Sequence, residues 1–68
     1  MDKPITYYVM QCIEGDECAI AYVDSFDAAA ARMREEAARD RTAELSIWTN
    51  RGGMVAVWNR GEVVRVGR

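Results

Sequence analysis

The sequence predicts an α+β domain: a five-stranded antiparallel sheet in the order β-β-α-β-β-β, with one helix packed on one face. Three observations predict it. Residues 5–13 and 18–23 are rich in β-branched and aromatic side chains and flank a glycine turn. The apolar spacing then changes to a helical period from Phe26 to Ala37. Three short apolar runs separated by glycine-containing turns complete the chain. Its 68 residues leave room for one small domain, residues 1–68.

Each element has its own signal. Pro4 suits the entry to a strand, where a missing N–H costs little. Ile5 to Ile13 reads as the first strand and Cys18 to Val23 as the second. Glu14-Gly15-Asp16-Glu17 reads as the turn between them, with Gly15 free to take a positive φ. Asp24 or Ser25 can cap the helix, and Asp27 sets negative charge at its positive end. Phe26, Ala29, Ala30, Met33 and Ala37 fall on one face. Arg32–Glu36 and Glu35–Arg39 are opposite-charge pairs on the other, and the helix should end near Asp40 or Arg41. Ala43 to Thr49, Met54 to Trp58 and Glu62 to Val66 read as strands three to five. Their turns are Asn50-Arg51-Gly52-Gly53, taken as four residues, and Asn59-Arg60-Gly61, taken as three.

Composition narrows the function classes. The chain has no histidine, which removes the commonest general base and the commonest zinc ligand. Cys12 and Cys18 are too few to staple a secreted scaffold and cannot complete a zinc site alone. They read as two reduced thiols in a cytoplasmic protein. No segment has the length of a signal peptide core or a membrane span. Gly52-Gly53 stands in a hairpin without the Lys-Ser/Thr and helix of a phosphate loop. Glu35-Glu36 and Asp16-Glu17 lie on a solvated helix face and in a turn, where no environment would raise a carboxylate pKa. The expectation is a protein that is not an enzyme, with no cofactor and no metal.

Net charge is −2, but it is unevenly distributed. Residues 1–40 carry four cations against nine acids, and residues 41–68 carry five against two. Tyr7, Tyr8, Trp48 and Trp58 lie near arginines in places and could stack bases. The acidic balance argues against direct nucleic-acid contact.

One helix cannot cover both faces of a five-stranded sheet, and both faces read as apolar. Pairing across the assumed turns sets Ile47 opposite Ala56 and Ala56 opposite Val64. In the first hairpin it sets Cys12 opposite Ala19 and Met10 opposite Ala21. Those small residues leave space for the helix. The uncovered face then holds Tyr7, Val9, Tyr22, Trp48 and Arg65. Asp16 and Glu17 in the first turn, and Arg51 and Arg60 in the later ones, are exposed beside it. This face should bind another protein or a second copy of the chain. The competing reading is that sheet curvature and long Arg and Glu stems cover it.

From Val23 onward the pattern resembles a known family. A strand runs into Asp24-Ser25-Phe26-Asp27-Ala28-Ala29, and an alanine- and arginine-rich helix follows. A strand then ends in Ile47-Trp48-Thr49. Next come a glycine turn, Met54-Val55-Ala56-Val57, an Asn-Arg-Gly turn and a terminal strand. This is similar to small phage-encoded anti-CRISPR proteins that inhibit type I systems. The resemblance implies a non-enzymatic inhibitor in the host cytoplasm. It would bind the Cas7-type backbone of a crRNA-guided surveillance complex and hinder target DNA binding. A second resemblance, to the HicB-like antitoxin fold, implies instead a homodimeric structural or regulatory module. This chain lacks that family's Pro-x-x-Gly-Cys stretch. A nucleic-acid-binding domain using the basic second half is a third reading.

Overall fold

The computed structural model describes residues 4–66; the Met1–Lys3 start and the charges of Lys3 and Arg68 lie outside them. The elements are β1 (Tyr7–Ile13), β2 (Asp16–Val23), α1 (Phe26–Arg39), β3 (Glu44–Thr49), β4 (Gly53–Asn59) and β5 (Glu62–Arg65). The strands form one antiparallel sheet in the order β2-β1-β3-β4-β5, and α1 packs against it. The fold is the α+β arrangement that the sequence predicts.

The helix starts where its cap is strongest. Ser25 is extended, and its Oγ accepts the Ala28 N–H at 3.1 Å. Its other end closes on Asp40, whose backbone N–H donates to the Glu36 carbonyl at 3.0 Å. The Asp40 carboxylate accepts from Thr42 twice, from Oγ1 at 2.7 Å and from the backbone N–H at 3.0 Å. These two bonds, the side-chain one first, hold its pKa below the usual carboxylate value. On the outer face Arg32 pairs with Glu36 at 3.4 Å, as its spacing implies. Arg39 turns to Glu36 at 3.2 Å rather than to Glu35.

Small residues on the helix meet large ones on the sheet. Ala29, Ala30, Met33 and Ala37 are buried on α1. Of these, Ala29, Met33 and Ala37 share one core cluster with Val9, Leu45, Ile47 and Ala56. Met33, Ile47 and Val9 are fully buried, each contributing about 1.5–3 kcal/mol. This corrects the placement of Val9 on the uncovered face and of Met10 and Ala19 under the helix. The alanines already let the helix approach closely, so the sheet supplies bulk there, not space.

Turn length accounts for the remaining differences in register. The β1–β2 turn is two residues, Glu14 and Gly15, with φ of 52° and 87°. Both positive angles belong to a type I′ hairpin. Cys12 therefore pairs with Glu17 rather than with Ala19. The β4–β5 turn is also two residues, Arg60 and Gly61, with φ of 53° and 87°. Ala56 consequently pairs with Arg65 instead of Val64. In the middle hairpin Thr49 pairs with Gly53, one residue short of the expected loop. A β-bulge then restores the register, so Ile47 does pair with Ala56.

Asn50 ties this middle turn to the start of β1. Its Oδ1 accepts the Thr6 N–H at 3.0 Å, and its Nδ2 donates to the Pro4 carbonyl at 3.4 Å. Its own backbone N–H donates to the Thr6 carbonyl at 3.2 Å. No helix among the described residues is long and apolar enough to cross a membrane.

Candidate interaction face

The sheet face away from α1 is built of three cross-strand rows. Antiparallel pairing sets each row, because residues directly opposite share a face. The first row is Tyr22, Tyr8, Trp48 and Met54, on β2, β1, β3 and β4. The middle row is Ala19, Met10, Ser46, Val57 and Val64. The third sets Cys12 between Glu17 and Glu44, and two strands further on Asn59 opposite Glu62.

The aromatic row is prepared for contact. Tyr8 and Tyr22 meet edge to face, with ring centroids 5.2 Å apart. Trp48 donates its indole N–H to Ser46 Oγ at 2.9 Å, which satisfies the one polar atom of its ring. Its apolar surface remains half-exposed. Tyr22 is 68% exposed and Met54 42%, while Tyr8 and Trp48 between them are partly buried, and no helix or strand of the described residues lies over the row.

The carboxylate row has a different character. Glu17, Glu44 and Glu62 are exposed, and none forms an ion pair among the described residues. No lysine or arginine occupies any of the three rows. Beside them opens a hollow of about 310 Å³ whose lining includes Cys12, Glu17, Glu44, Ser46, Met54 and Val57. Cys12 and Cys18 are both free. No group of three His, Cys, Asp or Glu among the described residues is arranged to hold a metal ion.

The structure separates the candidate residues read from the sequence. Tyr22, Trp48 and Glu17 lie together on this face. Asp16 pairs with Ile13, one step off the carboxylate row. Arg51 sits in the β3–β4 turn, where its backbone N–H donates to Thr49 Oγ1 at 3.2 Å. Arg60 lines a separate hollow with Ala37, Arg41 and Trp58.

Tyr7 and Arg65 are corrections, because both lie on the helix side. The Tyr7 ring meets Phe26 edge-on at 6.1 Å, and the Arg65 guanidinium lies 4.0 Å over the same ring. The two-residue β4–β5 turn is what carries Arg65 there. The sequence reading missed Tyr8, Met54, Glu44 and Glu62 as members of the open face. Reading Arg60-Gly61 as a two-residue loop finds Glu62. Met54 reaches this face through the β3–β4 bulge, and Tyr8 and Glu44 follow from their β1–β3 pairing once the helix is set on the Val9–Ile47 side.

Compared with protein-family models, with curated proteins and with solved structures, the chain matches none.

Proposed function

We propose that this chain is a binding protein without catalytic activity, and that it works through the open face of its sheet. The observation that carries the reading is the Tyr22–Tyr8–Trp48–Met54 row, which no element of the described residues covers. A domain this small has little apolar surface to spare, so an uncovered aromatic row marks a contact surface. In its specific form, the proposal is an inhibitor of a type I crRNA-guided surveillance complex that hinders its binding of target DNA. That form is supported by the order of elements and the hydrophobic pattern from Val23 onward.

The test uses a purified type I surveillance complex and labelled target DNA in a mobility-shift assay. The intact chain should abolish the DNA shift and comigrate with the complex. A Tyr22→Ser/Met54→Ser variant, changed at two exposed positions, should stay folded by circular dichroism and lose at least tenfold in potency. Undiminished DNA binding, with no comigration at micromolar protein, overturns the inhibitor reading. Full potency in the variant overturns the role of the open face.

A further inference from the structure

The occupant of the open face is defined by what borders it. We infer that the face receives a basic amphipathic α-helix of a partner protein, laid across the strands between the aromatic row and the carboxylate row. This rests on the reading of the open face as a contact surface and names the chemistry of what binds there.

The geometry comes from the register. Residues two apart on a strand are about 6.6 Å apart along it, so the aromatic and carboxylate rows stand about 13 Å apart. Between them lies the middle row of Ala19, Met10, Ser46, Val57 and Val64, which carries no charge. A helix with its side chains is about 10–12 Å across, which fits that width. The 310 Å³ hollow extends from Glu17 and Glu44 through Ser46 and Val57 to Met54, joining the two borders.

Charge sets the polarity of the occupant. Glu17 and Glu44 are two strands apart, as are Glu44 and Glu62. At about 4.8 Å per strand, each separation is about 10 Å. A helix rises 1.5 Å per residue, so positions i, i+7 and i+14 share a side at about 10.5 Å intervals. Arginines at those positions would each meet one carboxylate, while apolar residues on the other flank would meet Tyr22, Trp48 and Met54. The described residues of the three rows include no cation, so a second copy of these rows does not satisfy the glutamates, and a phosphate backbone would be repelled.

The probe is a fluorescein-labelled 18-residue helical peptide with arginine at positions 2, 9 and 16 and leucines along one flank. A control peptide carries glutamine at the three arginine positions. Binding is read by fluorescence anisotropy to the intact chain, to Glu17→Gln/Glu44→Gln/Glu62→Gln and to Tyr22→Ser/Met54→Ser. Light scattering gives the mass of each protein. The inference expects the arginine peptide to bind a 7.7 kDa monomer. Binding should weaken at least tenfold in each variant and with the control peptide, and should fall with salt.

Failure of the arginine peptide to bind the intact chain overturns the inference. Equal binding to the triple glutamine variant overturns it too. If only the Tyr22→Ser/Met54→Ser change weakens binding, the contact-surface reading survives and the basic partner does not. A stable dimer of the intact chain that the same change dissociates gives the face to a second copy. Tight binding of a labelled DNA duplex in place of the peptide assigns the contact to nucleic acid. Each of these outcomes rejects the basic helix.

Discussion

Arg65 on β5 lies over the ring of Phe26 at the start of α1, its guanidinium carbon 4.0 Å from the ring centre. The contact joins the last strand to the first turn of the helix, where Tyr7 meets the other side of the cluster. It identifies Arg65 as a structural residue on the helix side. An Arg65→Ala change should therefore cost about 0.5–1 kcal/mol of stability, the size of an exposed cation–π contact. Phe26→Ala should cost more, about 2–3 kcal/mol, because the ring also packs against the core. Urea denaturation measures both. Neither change touches the open face, so a folded Arg65→Ala protein should bind its partner with unchanged affinity.

Much of this fold was legible in the sequence, and the reasons are local. Ser25 and the Phe26-Ala29-Ala30-Met33-Ala37 stripe define the helix without reference to anything distant. The strands follow from their β-branched runs. Which face each strand residue occupies is a different kind of information. It depends on turn length, and one residue in a loop inverts an entire strand. Glu14 and Arg60 take positive φ although neither is glycine, asparagine or aspartate, so their turns read as longer than they are. Arg65 changes face for this reason, whereas Tyr22 joins Tyr8 through the bulge in the β1–β2 pair, and Tyr7 lies with Val9 on the face that the helix covers. The carboxylate row was not visible at all, because Glu17, Glu44 and Glu62 are brought into line only by the strand order β2-β1-β3-β4-β5.

Asn50 predicts how the amino-terminal segment is held. Its side chain makes two hydrogen bonds to the Pro4–Thr6 segment, 44 and 46 residues away in sequence. Asn50→Ala removes both but leaves its backbone N–H on the Thr6 carbonyl. Both bonds are exposed, so the loss should be about 1 kcal/mol. The specific signature is a loss of protection at the Thr6 amide that exceeds the loss at core amides such as Ile47, which follow global stability. A protection loss spread evenly over the sheet would mean that Asn50 acts on the whole fold.

Asp40 predicts an acid-side change. Its carboxylate is held below the usual value by hydrogen bonds from the Thr42 hydroxyl and backbone N–H, which are stronger to the ionised form. In the unfolded chain the group titrates near about 3.9. A folded pKa below the unfolded one contributes stability at pH above the unfolded value, and that contribution is lost as pH falls through the folded value. The site is fully exposed, so the effect is best read on the group itself. A carbon-detected NMR titration should place the Asp40 carboxyl below the other exposed aspartates. Thr42→Val removes the hydroxyl and should move it back part of the way. An unchanged titration in Thr42→Val would show that the backbone bond alone sets the shift.

The two X-Gly turns predict a route to higher stability. Glu14 and Arg60 sit at φ of 52° and 53°, in the left-handed region where most side chains cost about 1–2 kcal/mol. Asparagine tolerates that region better, and Asn-Gly is the preferred pair for a two-residue type I′ hairpin. Glu14→Asn and Arg60→Asn should each stabilise the domain by about 0.5 kcal/mol, and the double variant by about their sum, since the turns close separate hairpins. Thermal unfolding should show the rise. The reverse substitution is the sharper check. Gly15→Ala and Gly61→Ala place a Cβ at φ of 87°, where space is open but the backbone is strained. Each should destabilise by about 1 kcal/mol or more. If the asparagine variants lose stability while the alanine variants keep it, the turns are longer than two residues. In that case Glu62 would leave the open face if its loop gained one residue, whereas Tyr8, Trp48 and Glu44 would stay together, because the β1–β3 pairing sets them.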